Sequence, residues 1–126
     1  MSIKRTYSIL LWVQGMYTLL TALWGLIDII SFMDVSGPKT DIWLVKTVSV
    51  LLVPISVFLL LCNFFRMPAI PVIVLGALTA TGLASIDFYY TANHTIRWVY
   101  AVDGAIETIF LLVWLYILSK YKTLET

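Results

Sequence analysis

Apolar residues fall in four long runs along this chain, at positions 8–31, 42–63, 68–90 and 96–119, each interrupted by only a few polar side chains. A bilayer hydrocarbon core about 30 Å thick is crossed by about 20 mostly apolar helical residues, and every run reaches that length. Lipid cannot hydrogen-bond free backbone N–H and C=O groups, so such runs read as α-helices, which satisfy those groups internally. The expected fold class is all-α: a four-helix transmembrane bundle forming a single domain over residues 1–126. The connections are short. Residues 33–39 hold a Ser36-Gly37-Pro38 turn, with Thr40 or Asp41 as the expected cap of the second helix. Phe64-Phe65-Arg66-Met67 leads into Pro68 at the start of the third, where proline is tolerated. Thr91-Ala92-Asn93-His94-Thr95 joins the third to the fourth, with Thr95 as its expected cap.

Polar residues inside the runs are ordered. Gln14, Tyr17, Thr21, Trp24 and Asp28 step by three and four along the first run. Lys46, Ser49 and Ser56, with Val53 between, repeat that stepping on the second, and Tyr100, Asp103, Glu107, Phe110 and Trp114 on the fourth. Residues so spaced share a helix face. Lipid is a poor neighbour for such faces, so the three stripes are expected to turn inward and meet. The third run contributes a small-residue row, Gly76, Ala80 and Ala84, with Asp87 near the same face, and the fourth has Ala101 and Ala105. Rows of this kind let helix backbones approach closely in a bilayer, so the third and fourth helices are expected to pack tightly.

Depth sharpens the picture. At about 1.5 Å per residue, Asp28, Asp87 and Lys46 lie about one turn inside the ends of their spans, Asp103 about 10 Å in and Glu107 about 16 Å in, near the bilayer centre. A carboxylate there costs at least about 2.5 kcal/mol, so Glu107 has to be protonated, paired or facing water. One reading is a polar pocket for a ligand, lined by Asp28, Lys46, Asp87, Tyr100, Asp103, Glu107, Tyr17 and Thr21. The other is a set of structural ion pairs such as Asp28–Lys46 and Arg97–Asp87. Four acids (Asp28, Asp87, Asp103, Glu107) against two bases (Lys46, Arg97) leave an acid excess of two, so either an acid is protonated or something cationic binds.

Composition agrees with a membrane protein: 61% of residues are hydrophobic and 12% charged, against about 45–50% and about 25% for soluble domains. The net charge of +1 offers no surface for nucleic acid. A single cysteine, Cys62, excludes an internal disulfide and a CxxC pair. No phosphate-binding glycine loop, HExxH, GxSxG or haem motif occurs, and no cofactor is indicated. Asp103 and Glu107 could share Mg²⁺ or Mn²⁺ with a third acid, but acids four apart on a helix are common, and no metal is expected. Lys4 and Arg5 precede a first run too long for a signal-peptide core and without a small-residue cleavage site, so it reads as a retained span. Lys4, Arg5, Arg66, Lys120 and Lys122 fall on one side, and Lys39, Lys46 and Arg97 on the other. The positive-inside rule then places both termini in the cytoplasm.

Gly25-Leu26-Ile27-Asp28 near the end of the first run resembles Gly82-Leu83-Ala84-Ser85-Ile86-Asp87 in the third, and Trp43 and Trp98 open the helices that follow. Such a pattern would be a parallel two-plus-two duplication. The segment Ser36-Gly37-Pro38-Lys39-Thr40-Asp41-Ile42-Trp43-Leu44-Val45-Lys46-Thr47-Val48 resembles a signature of small bacterial four-helix membrane proteins of unknown function. Asp87 with its following tyrosines, and Asp103 before Glu107, extend that resemblance over most of the chain. The general plan is also similar to DoxX-type four-helix proteins. The resemblance implies a bacterial inner-membrane protein and carries over no activity. The leading functional expectation is a non-enzymatic module that binds or transports a small cation, a proton or a small polar ligand. An accessory or structural subunit of a larger membrane assembly comes next, and an enzyme acting on a lipid, with Asp103 or Glu107 as acid/base, third. The expected partners are the lipid bilayer and either further copies of the chain, as a homo-oligomer, or a larger membrane complex.

Overall fold

A computed structural model describes residues 1–125. Its elements are α1 (Ile3–Ile27), α2 (Ile29–Ser36), α3 (Ile42–Leu61), α4 (Ala69–Ala92), α5 (Val99–Ser119) and α6 (Tyr121–Leu124). Among the described residues four of these, α1, α3, α4 and α5, are long and apolar enough to cross a membrane. The chain is therefore an all-α, multi-pass membrane protein built as a four-helix bundle.

Two expected boundaries shift, each for a local reason. The first run is not one helix to residue 31. It breaks at Asp28, whose backbone leaves the helical region (φ −134°, ψ 71°) and whose carboxylate accepts the N–H of Ser31 at 3.2 Å. Aspartate competes with the helix for backbone N–H groups and is a better cap than interior residue. The eight residues after it form α2, which stops at Gly37 in the left-handed region (φ 104°), a conformation that suits glycine. Thr95 is not the cap of the fourth span either. Trp98 takes that position without a side-chain hydrogen bond, while the Thr95 and Ile96 N–H groups fold back onto the carbonyl of Tyr90. Asp41 does precede α3, although its side chain makes no capping bond.

Packing proceeds in pairs. α1 lies against α3 and α4 against α5, and lesser contacts between α1 and α5 join the pairs; α3 and α4 do not form a packed pair. The α1–α3 seam is closed by glycines: a Cβ on Gly15 would fall 2.8 Å from Leu60 Cγ, and one on Gly25 2.8 Å from Ser49 Oγ. The α4–α5 seam uses the expected row, with Gly76, Ala80 and Ala84 all buried. Its small residue on α5 is Gly104, set against Asp87 and Phe88; the expected Ala105 is exposed. In lipid, where apolar side chains gain nothing by leaving the solvent, such close backbone approach is a main source of helix association.

The duplication motif does not mark equivalent places. Gly25 is pressed against Ser49 whereas Gly82 has no neighbour within 4 Å, and Asp28 ends a helix in an exposed position whereas Asp87 is buried within one. At one end of the bundle Ser8 donates to Asn63 Oδ1 at 2.8 Å, and Lys4, Arg66 and Leu124 line a common recess. At the other, the 36–41 and 95–97 connections meet, with Arg97 Nη1 donating to the carbonyl of Asp34 at 3.1 Å.

Candidate functional site

The inward polar residues divide into two groups. Toward the middle of the bundle Gln14 is fully buried (0% exposed) and satisfied: its Nε2 donates to the carbonyl of Gly76 at 3.1 Å, and Trp114 Nε1 donates to its Oε1 at 2.5 Å. One amide thereby joins α1 to α4 and α5. The indole lies directly on Gly76, where any Cβ would collide with it. The Tyr7 ring meets Trp114 edge-on at 5.9 Å and seals this layer from the end that carries the termini.

Above that layer, toward the 36–41 and 95–97 connections, is a cavity of about 230 Å³ between the two helix pairs. α1 supplies Tyr17, Thr18 and Thr21; α3 supplies Val45, Val48, Ser49 and Leu52; α4 supplies Leu83, Ile86 and Asp87; α5 supplies Tyr100, Asp103 and Glu107. Phe32 of α2 closes one end. Six of the eight expected ligand residues are thus brought together: Tyr17, Thr21, Asp87, Tyr100, Asp103 and Glu107. The period of the helix placed each acid on the face that turns inward.

Asp28 and Lys46 lie outside the cavity, and both are exposed. Asp28 is spent on capping α2, so the suggested Asp28–Lys46 pair is replaced by a bond to Ser31. On α3 the inward face centres on Val45, Ser49 and Leu52. Lys46 follows Val45 by one residue, about 100° around the helix, which turns it away. Arg97 likewise engages the Asp34 carbonyl rather than Asp87.

Within the cavity, the Tyr17 hydroxyl donates to Asp103 Oδ1 and the Tyr17 ring packs edge-on against Phe110 at 5.8 Å. Asp103 is therefore held. It also shares a side-chain hydrogen bond with Asp87, yet Asp87 (5% exposed) and Glu107 (1% exposed) each bury one carboxyl oxygen, Oδ2 and Oε2, that has no hydrogen-bond partner. Thr18 Oγ1 is in the same state. Buried polar atoms are nearly always paired, so three orphans lining one cavity need an explanation. The lining contains three carboxyls and no basic side chain. Burying that much uncompensated charge in a membrane is costly, so the site must hold protons, a cation or both. Among the described residues no group of three or more acidic, histidine or cysteine side chains is arranged to hold a metal ion.

Several lining residues lie outside the predicted stripes, among them Thr18 and Phe32. Thr18 follows Gln14 by four residues and shares its face, a signal that was available. Phe32 carried none, because its place depends on the chain turning back after Asp28. No protein-family model matches the chain, and no curated protein or solved structure is significantly similar to it.

Proposed function

We propose that this membrane protein is a binding or transport module whose acidic cavity takes up a small cation or small polar ligand, with Asp87, Asp103 and Glu107 meeting its charge. The observation that supports this reading is the pair of buried carboxyl oxygens on Asp87 and Glu107 without a partner, facing a cavity with no base. A purely structural polar core would look like the Gln14 layer, where the amide is bonded on both sides. Tyr17 serves as the positioning group that fixes Asp103. The resemblance of the 36–48 segment supports a bacterial inner membrane as its site.

The test is equilibrium dialysis of radiolabelled methylammonium against the purified protein in detergent, comparing wild type with Glu107→Gln. Glutamine keeps the shape of the neutral acid but cannot balance a positive charge. Saturable uptake by the wild type, weakened at least about tenfold (about 1.4 kcal/mol) in Glu107→Gln, is the expected result. Equal uptake by both proteins removes Glu107 from the site.

A further inference from the structure

The cavity has a roof and a side opening. α2 covers the end facing the 36–41 and 95–97 connections. It places Phe32 in the cavity wall and is tied down twice, through Trp24 Nε1 donating to Ser31 Oγ at 2.7 Å and Arg97 donating to the Asp34 carbonyl. Lys39 lies over the Tyr100 ring at 5.2 Å, adding a cation outside that end. Below it, one turn along α1 from Thr18 and two along α5 from Glu107, lies the Gln14–Trp114 layer.

On the side, α3 and α4 do not form a packed pair. Of all the residues that line the cavity, only Val48 on α3 and Ile86 on α4 are exposed, at 51% and 55%. Each lies six residues from the outer end of its helix, so both sit about 9 Å deep by the helical rise. They are apolar, they stand at one level, and at that depth what they face is hydrocarbon.

We infer that the cavity is loaded sideways from the membrane, between Val48 and Ile86, and that its occupant is a single-chain amphiphile with a primary ammonium head. This deepens the proposed function and rests on it. The head is set by complementarity: Asp87 Oδ2, Glu107 Oε2 and Thr18 Oγ1 are three unpartnered acceptors, and a primary ammonium carries three N–H donors and a positive charge. The tail is set by space. At 230 Å³ the cavity is smaller than the ~300–1,000 Å³ that encloses a drug-sized ligand, so a long chain has to leave through the gap and lie in lipid. A hydrated inorganic ion would have to pass the roof beside Lys39, or shed its water in hydrocarbon.

The experiment uses the full chain in phosphatidylcholine nanodiscs, with dodecylammonium, dodecyltrimethylammonium and dodecanol as probes at equal mole fraction in the lipid. Dodecylammonium should bind at least about tenfold more tightly than either of the others, which lack donors or charge. Replacing both rim residues, Val48→Trp with Ile86→Trp, should slow its association by about tenfold or more, while Leu20→Trp, on a lipid-facing position of α1 away from the gap, should not. Recovered dodecylammonium should be chemically unchanged. Uptake of methylammonium but not dodecylammonium would leave the acidic site standing and overturn the lateral route. Equal binding of dodecanol, an unchanged rate in the rim variant, or conversion of the amphiphile would each overturn this inference. Failure of methylammonium and dodecylammonium alike would overturn the site itself.

Discussion

Trp114 on α5 donates its indole N–H to Oε1 of Gln14 on α1 at 2.5 Å, in a layer from which solvent and lipid are excluded. The two residues are a hundred positions apart in sequence, and with the Gly76 carbonyl they tie one helix pair to the other. Direct α1–α5 packing is slight compared with packing inside each pair, so this polar contact bears on how the pairs are registered. Gln14→Leu should lower stability by about 0.6–2 kcal/mol, the range of interhelical hydrogen bonds in membranes. Trp114→Phe should make that substitution less harmful, because the donor left stranded is gone. Melting temperatures in detergent for the two single variants and the double variant give the coupling. A coupling of zero would mean that the bond contributes nothing beyond packing.

Asp28 offers a second, independent check. Its side chain starts α2 by accepting the Ser31 N–H. Asp28→Ala should cost about 0.5–2 kcal/mol of local stability, as cap removals do, whereas Asp28→Asn should retain most of it. Hydrogen exchange over residues 29–36 reads this directly: faster exchange in the alanine variant, near-normal exchange in the asparagine one. If exchange is unchanged in both, α2 is held by Trp24 and Arg97 alone.

The bundle could be read from the sequence because a bilayer fixes helix length and leaves no other backbone solution. The inward faces could be read because a 3.6-residue period places Tyr17, Thr21, Asp103 and Glu107 by arithmetic. What escaped was decided by local competition or by angle. Asp28 looks like a stripe residue by spacing, yet its short carboxylate prefers to cap. Lys46 is three residues from buried Ser49, but three residues leave it about 60° around the helix from that position, enough to turn it outward. Pairing was legible only in part: the Gly76, Ala80 and Ala84 row marks α4 for close packing on α5. Nothing in the apolar pattern says that α3 and α4, joined by a short connection, do not form a packed pair and leave Val48 and Ile86 exposed.

The charges at the two ends predict an orientation. Lys4 and Arg66 share the recess at the end carrying the termini, and Lys39 and Arg97 line the opposite one. With Arg5, Lys120 and Lys122 also beside the termini in sequence, the positive-inside rule predicts that end to be cytoplasmic. A reporter fused after Lys122 should be active only if it is one that works in the cytoplasm. Activity from a periplasmic reporter would invert the protein and place the roof of the cavity on the cytoplasmic side.

The central claim is that the orphaned carboxyls of α4 and α5 are there for a ligand rather than for the bundle. Thermal unfolding of wild type and Glu107→Gln, with and without methylammonium, separates the two roles in one experiment. Glu107 Oε2 has no partner to lose, so without ligand the variant should melt at the wild-type temperature or slightly above it. A ligand that binds only the folded state stabilises it by about 2.7 kcal/mol at a concentration a hundredfold above its Kd. Saturating methylammonium should therefore raise the melting temperature of the wild type and raise that of Glu107→Gln by clearly less, since a tenfold weaker Kd cuts the gain to about 1.4 kcal/mol or below. A variant that melts well below the wild type, with neither protein responding to methylammonium, would contradict the account and make Glu107 a structural residue.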